Sequence, residues 1–234
     1  MAARLALVLF LVAGLRSCVR YEYEHELWLD VDGSGRVNVT GRPDLWAAFK
    51  GLPPEADEDA LERRARALFE ASGLRVRRVD VTHRRGRAYL FVSAAFDDVN
   101  RLGGTPAFPD LRLALRPDGE RLRLEGEWKR PPAAGPAAAP VAESDGLMAV
   151  RLHLPSKIYE HQNAHDGVER GNIVGWRQDV AAALAGRDLR FGATLDRRSI
   201  FYSTVGLFAA AVALALALLA AMVFVVRRKG QRQA

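Results

Sequence analysis

Residues 19–31, VRYEYEHELWLDV, decide the class of fold. Val19, Tyr21, Tyr23, His25, Leu27, Leu29 and Val31 alternate with Arg20, Glu22, Glu24, Glu26, Trp28 and Asp30. Successive side chains on a strand point to opposite faces, so a period of two predicts a strand with one apolar and one wet face. Glu22, Glu24 and Glu26 share the wet face. Three carboxylates in a row are a candidate acid–base set, and equally an ordinary solvated face. Asp32-Gly33-Ser34-Gly35 turns the chain and Val37 and Val39 bring it back, which makes a hairpin. Asp30, Asp32, Ser34 and Gly35 match the early places of an EF-hand loop. Its twelfth place is Gly41 instead of a bidentate Glu, so calcium is not expected.

The same reading extends outward. Pro43 to Phe49 is a short helix with Pro near its start, and Asp57 to Ser72 is a longer one with acids in its first turn and Gly73 at its end. Leu74–Val76, Val79–Val81 and Tyr89–Phe96 are strands around a His83–Arg87 turn. Leu111, Leu113 and Leu115, then Pro117-Asp118-Gly119, then Leu122, Leu124, Gly126 and Trp128 form a second hairpin. Residues 131–144 are a Pro/Ala-rich loop. Leu147–Leu154 and Leu189–Leu195 are further strands. The expected class is α+β: antiparallel hairpins forming a sheet, two helices packed on it, and one C-terminal transmembrane helix.

That last helix rests on composition. Ser199 to Val226 contains no charged residue in 28 positions, and about 20 apolar residues suffice to cross a hydrocarbon core. Arg227, Arg228, Lys229 and Arg232 follow, so the positive-inside rule places the 227–234 tail in the cytoplasm and the preceding domain outside. At the other end, Leu5 to Leu15 is an eleven-residue apolar core behind Arg4, the proportions of a signal peptide over residues 1–17. It ends in Leu15-Arg16-Ser17-Cys18, which resembles a bacterial lipobox, and this resemblance implies acylation of Cys18. The external domain is then 18–198.

The pI near 9.9 suggests nucleic acid until the charges are located. Six of the 34 basic residues lie in the leader and tail, leaving 28 against 28 acids, so the external domain is neutral and no nucleic-acid partner is expected. Nine arginines lie between Arg63 and Arg87. Of these, Arg75, Arg77, Arg78, Arg84, Arg85 and Arg87 are candidate contacts for an anionic surface, or the outward side of a strand. Gly206 and Ala210, with Ala209, Ala213, Ala217 and Ala221 at every fourth position, form a candidate helix–helix packing stripe. Through it the chain would meet itself or another envelope membrane protein. His161 and His165 are four apart as zinc ligands on a helix would be, but nearby glycines and strands argue against a helix. With no nucleophile elbow, phosphate loop or dinucleotide fingerprint, no catalysis, metal or cofactor is expected.

Leu154-Pro155-Ser156-Lys157-Ile158, His161-Gln162-Asn163-Ala164 and Gly171-Asn172-Ile173-Val174-Gly175-Trp176 together resemble the LppM-domain family of bacterial envelope lipoproteins. The order of lipobox, external α+β domain, membrane helix and basic tail adds to the resemblance. It implies a surface-attached domain resembling folds that bind lipids or other hydrophobic ligands, with no catalytic residues. Read alone, Asn163 holds a turn conformation and Trp176 plugs a core. Two functions stay open: a module at the membrane surface that binds lipid or a hydrophobic ligand, and a scaffold docking other envelope proteins.

Overall fold

The structure, a computed structural model, describes residues 21–131, 141, 145–165, 167–169 and 172–230. The leader, Cys18 and most of the 131–144 loop lie outside the described residues. The elements in chain order are β1 (Tyr21–Leu29), β2 (Gly35–Gly41), α1 (Pro43–Lys50), α2 (Glu58–Glu70), β3 (Arg75–Arg84) and β4 (Arg87–Phe96). A 3₁₀ turn (Val99–Arg101) leads to β5 (Leu111–Asp118), β6 (Arg121–Trp128), β7 (Leu147–His153), β8 (Ile158–Gln162) and β9 (Val168–Glu169). The chain closes with β10 (Ile173–Asp179), α3 (Val180–Leu184), β11 (Leu189–Asp196) and α4 (Ile200–Gly230).

The expected hairpins are present and divide between two sheets. The first has the order β3-β4-β2-β1-β7-β10-β9, the second β5-β6-β11-β8. β1 and β7 run parallel in the middle of the first sheet, a pairing that hairpin reasoning does not anticipate. Side chains from both sides of the 131–144 loop, such as Tyr23 and Trp176, belong to one hydrophobic cluster.

Local chemistry explains the joints. Asp57 caps α2 by accepting from the Asp59 amide at 3.1 Å. Arg85 and Gly86 both have positive φ, 52° and 74°, so the β3–β4 connection is a two-residue turn with the twist that hairpins favour. Asn163 and Asn172 also sit at positive φ, 59° and 57°, which bears out the turn role read for Asn163. β1 and β2 meet tightly at Gly35, where a Cβ would lie 2.1 Å from the Trp28 carbonyl oxygen and 2.9 Å from the Phe96 ring. Gly35→Ala is therefore expected to cost about 3 kcal/mol by overpacking, read as a lowered midpoint in thermal unfolding.

Aromatic rings fill the space between the layers. Phe49 of α1 meets Tyr23 at 4.9 Å and Trp128 of the second sheet at 4.9 Å, both edge-on. Phe69 of α2 meets Trp46 at 6.0 Å and Phe108 at 5.6 Å. Trp176 meets Phe191 at 4.8 Å with the rings tilted by 31° and joins the two sheets, so it plugs the core as expected. Its indole donates to the Gln162 carbonyl at 2.6 Å.

Candidate functional site

The densest chemistry is a buried polar cluster where β1, α1 and the start of β5 converge. The apolar parity of β1 carries Tyr23 and His25 inward, and Lys50 closes α1 on the face it shares with Trp46. The Asp110 carboxylate accepts from Lys50 Nζ at 2.9 Å through Oδ1, and from Tyr23 Oη at 2.9 Å and Trp128 Nε1 at 3.1 Å through Oδ2. Lys50 also donates to the Ala107 carbonyl. The Lys50 and Asp110 side chains are both fully buried. Burial raises the Asp110 carboxyl, but Lys50, His25 and the hydrogen bonds outweigh it and hold the group below its usual range. Burial lowers the Lys50 ammonium and raises the Tyr23 phenol. His25 Nε2 is 3.6 Å from Asp110 Oδ2, too far for a hydrogen bond, and neither ring nitrogen has a partner. Burial, opposed by Asp110 and reinforced by Lys50, brings His25 down to about 3, so it is neutral at pH 7. This closed knot ties β1, α1 and β5 together and presents no reactive atom to solvent.

A cleft of about 270 Å³ lies against it, lined by Pro109, Asp110, Arg112, Glu127, Lys129, Arg130 and Pro131. Its volume is below the usual range for a small-molecule pocket, and its rim is charged. Two further clefts, beside β8 and β10, measure about 40 and 10 Å³.

The carboxylate row of β1 departs from the solvated face that alternation suggested. Glu22 is fully buried and meets Arg42 at 2.7 Å and Arg87 at 3.2 Å. Arg151 of the parallel neighbour β7 lies 3.5 Å from Glu24 and 3.8 Å from Glu26, and His153 Nε2 is 2.8 Å from Glu26. Trp28 completes the row, stacked on His153 at 4.4 Å with the Arg36 guanidinium 4.0 Å over its ring. Burial raises the Glu24 carboxyl, against Arg151. The cause is long range: β7 supplies the cations for Glu24 and Glu26, Arg42 and Arg87 supply those for Glu22, and no spacing within residues 19–31 announces them.

The six candidate surface arginines lie along one hairpin. Arg75, Arg77, Arg78 and Arg84 are on β3, Arg85 is in the turn and Arg87 opens β4. Acids meet several of the nine basic residues of this region: Arg75 with Asp97 at 2.7 Å, Arg78 with Asp80 at 2.8 Å, Arg64 with Glu55 at 2.6 Å, and Arg87 with Glu22. Gly206, Ala209, Ala210, Ala213, Ala217 and Ala221 are exposed along α4. His161 is on the exposed face of β8, and the His165 amide donates to the Gly175 carbonyl at 3.1 Å. Among the described residues no three His, Cys, Asp or Glu side chains converge as metal ligands. The Asp30–Gly35 loop closes on itself, with Ser34 Oγ donating to Asp32 Oδ1 at 2.7 Å.

Sequence reading missed Lys50 and Asp110. A signal existed for the first, because Lys50 is four residues after Trp46 and falls on the buried stripe of its helix. Asp110 carries no such mark, since its partners come from β1, α1 and β6.

The molecule is thus an α+β domain of two sheets that continues into a helix long and apolar enough to cross a membrane, Thr204–Phe224. In fold it is similar to the folded domain of LppM from Mycobacterium tuberculosis, solved by NMR, with 16% sequence identity and a TM-score of 0.41. The match covers 76% of this chain and 91% of that one. No family model matches the chain, and no curated protein matches its sequence.

Proposed function

We propose that this chain is a non-enzymatic, membrane-anchored extracytoplasmic domain that works at the membrane surface. The observation that carries this reading is the junction after β11. That strand ends at Asp196 and α4 begins at Ile200, leaving three residues that reach about 10 Å at most. The 21-residue span Thr204–Phe224 has a mean hydropathy of 2.7 and is not buried by the rest of the chain. Leu207, Phe208, Leu214, Leu216 and Met222 are all more than half exposed, an arrangement that water penalises and hydrocarbon accepts. Arg227, Arg228 and Lys229 beyond the span favour a cytoplasmic tail and an external domain. Acylation of Cys18 would fix the other end of the domain to the same bilayer.

Within that frame the exterior is the working surface. Trp46, Phe49, Phe69, Phe108 and Trp128 occupy the space between sheets and helices that an acyl chain would need, and the 270 Å³ cleft is rimmed by charge. Contact with lipid headgroups is therefore favoured over carriage of a lipid inside. The filled interior equally favours the second reading, a scaffold for neighbouring envelope proteins, including a second copy through α4.

Protease added to intact spheroplasts is expected to degrade the domain and spare the tail. A domain that survives in intact cells and is cut only in opened ones would reverse the orientation and remove this function. Native mass spectrometry of the detergent-extracted chain separates the two readings: retained lipid supports the first, a copurifying protein without lipid the second.

A further inference from the structure

We infer that the end of the second sheet nearest the membrane helix is a basic and aromatic collar that binds anionic lipid headgroups of the bilayer the helix enters. The inference rests on the membrane reading above and adds the site, its residues and its ligand class.

Register places the collar. Asp196, the last residue of β11, is opposite Arg121, the first residue of β6. Arg121 is also opposite Asp118 across the β5–β6 turn, and two positions back Arg116 stands opposite Arg123. All three arginines are exposed and share one face of the sheet. Like charges directly opposite each other on a sheet destabilise it; Glu125 lies 3.6 Å from Arg123 Nε and offsets part of that repulsion, and a bound anion at Arg116 would relieve the rest. Further along the same face come acids: Glu125 is opposite Ala114, and Glu127 is opposite Arg112.

Tyr159 of β8 supplies the aromatic part. It is 41% exposed, with the Arg121 guanidinium 4.4 Å and Lys157 Nζ 5.0 Å from its ring. Its hydroxyl donates to Asp196 Oδ2 at 3.0 Å. Tyrosine beside lysine and arginine is the pairing that membrane interfaces select, with the ring at headgroup depth and the cations on phosphate.

The junction holds this end in place. The Asp196 amide donates to the Lys157 carbonyl at 2.9 Å, and Arg197 Nη1 donates to the Gly119 carbonyl at 3.1 Å. The Arg198 amide donates to Asp196 Oδ1 at 2.8 Å, so the local carboxylate is occupied. Only three residues separate Asp196 from the apolar helix, which brings this end within reach of the headgroup layer of the bilayer the helix enters. Six cations (Arg116, Arg121, Arg123, Lys157, Arg197 and Arg198) stand against five carboxylates (Asp118, Glu120, Glu125, Glu160 and Asp196) at this end, Glu125 being the partner of Arg123. The tail still carries four basic residues against Arg197 and Arg198 at the helix's outer flank, so the collar does not conflict with the orientation.

The test uses the full chain in nanodiscs of phosphatidylcholine, with or without phosphatidylglycerol, read by hydrogen exchange. Amides of the Asp118–Arg121 turn and of edge strand β8 are expected to exchange about fivefold or more slowly when the anionic lipid is present. Arg116→Gln/Arg121→Gln/Lys157→Gln is expected to abolish that difference, while Arg75→Gln/Arg77→Gln/Arg84→Gln on β3 keeps it. Equal exchange in the two lipids, or loss of the effect in the β3 variant with retention in the collar variant, overturns the collar. A chain that fails to enter nanodiscs overturns the membrane reading itself, which distinguishes the two failures.

Discussion

Asp110→Ala is expected to destabilise the domain by about 3–5 kcal/mol, the scale measured when one partner of a buried ion pair is removed. The carboxylate is the common acceptor for Lys50 Nζ, Tyr23 Oη and Trp128 Nε1. Without it an ammonium and two donors lose their shared acceptor among side chains that are fully buried. For a domain of this size the thermal midpoint should fall by roughly 10 °C or more, read by near-ultraviolet circular dichroism of the detergent-solubilised chain. The double variant Lys50→Met/Asp110→Leu should recover part of the loss, the share due to the unpaired ammonium, while Tyr23 Oη and Trp128 Nε1 still lack their acceptor. A single variant that melts with the parent would mean that solvent reaches the pair.

The second large effect is on pH dependence. His25 is neutral in the folded state down to about pH 3, whereas in the unfolded chain it takes up a proton near its ordinary 6.5. Its folded value lies below its unfolded value, so its neutral form is fully compatible with folding above pH 6.5. Stability is then lost as pH falls from 6.5 toward 3, and the loss levels off below. The slope within that window is about 1.4 kcal/mol per pH unit, about 4 kcal/mol across it. Tyr23, Lys50 and Asp110 face the ring, and two carboxyls complicate the lower part of the range. Asp110, held low, adds a loss in the same direction below its ordinary 3.8. Glu24, raised above 4.5, works in the opposite direction as it gains a proton. Glu24 contributes equally to the parent and to a His25 variant, so the difference between the two over pH 6.5 to about 5 isolates the histidine. His25→Phe keeps a planar ring against Tyr23 and Phe108 and removes two ring nitrogens without partners, so at pH 7 it should match or exceed the parent by about 1 kcal/mol. Its denaturant midpoint should fall less than the parent's over that interval. A variant that keeps the parent's slope would assign the acid sensitivity to another group.

Both effects come from a cluster that was only half visible beforehand. His25 was legible as an inward-facing residue, because it shares parity with Tyr23 and Leu27 on β1. Its partner was not, because Asp110 is 85 residues away and lies before a strand of the second sheet. The same division holds for Glu22. Alternation put it on the wet face, yet Arg42 and Arg87 arrive from α1's N-cap and from β4 to cover it. The arginines of β3 are exposed, a placement common to both readings of them, an anionic-surface contact and the outward side of a strand. The cations next to α4 escaped notice because Arg121, Lys157 and Arg197 are far apart in the chain and meet only through the register of β6, β8 and β11.

Local sequence alone determined the hairpins, the two principal helices, the turn asparagine at Asn163 and the apolar span, because each depends on periodicity, caps or composition within about twenty residues. Tertiary structure decided which strands share a sheet, the parallel meeting of β1 with β7, the burial of Lys50, Asp110 and Glu22, and the gathering of basic residues around Tyr159. Those outcomes depend on charges and rings brought together across long loops. A pattern confined to one segment carries no record of which distant segment will satisfy it.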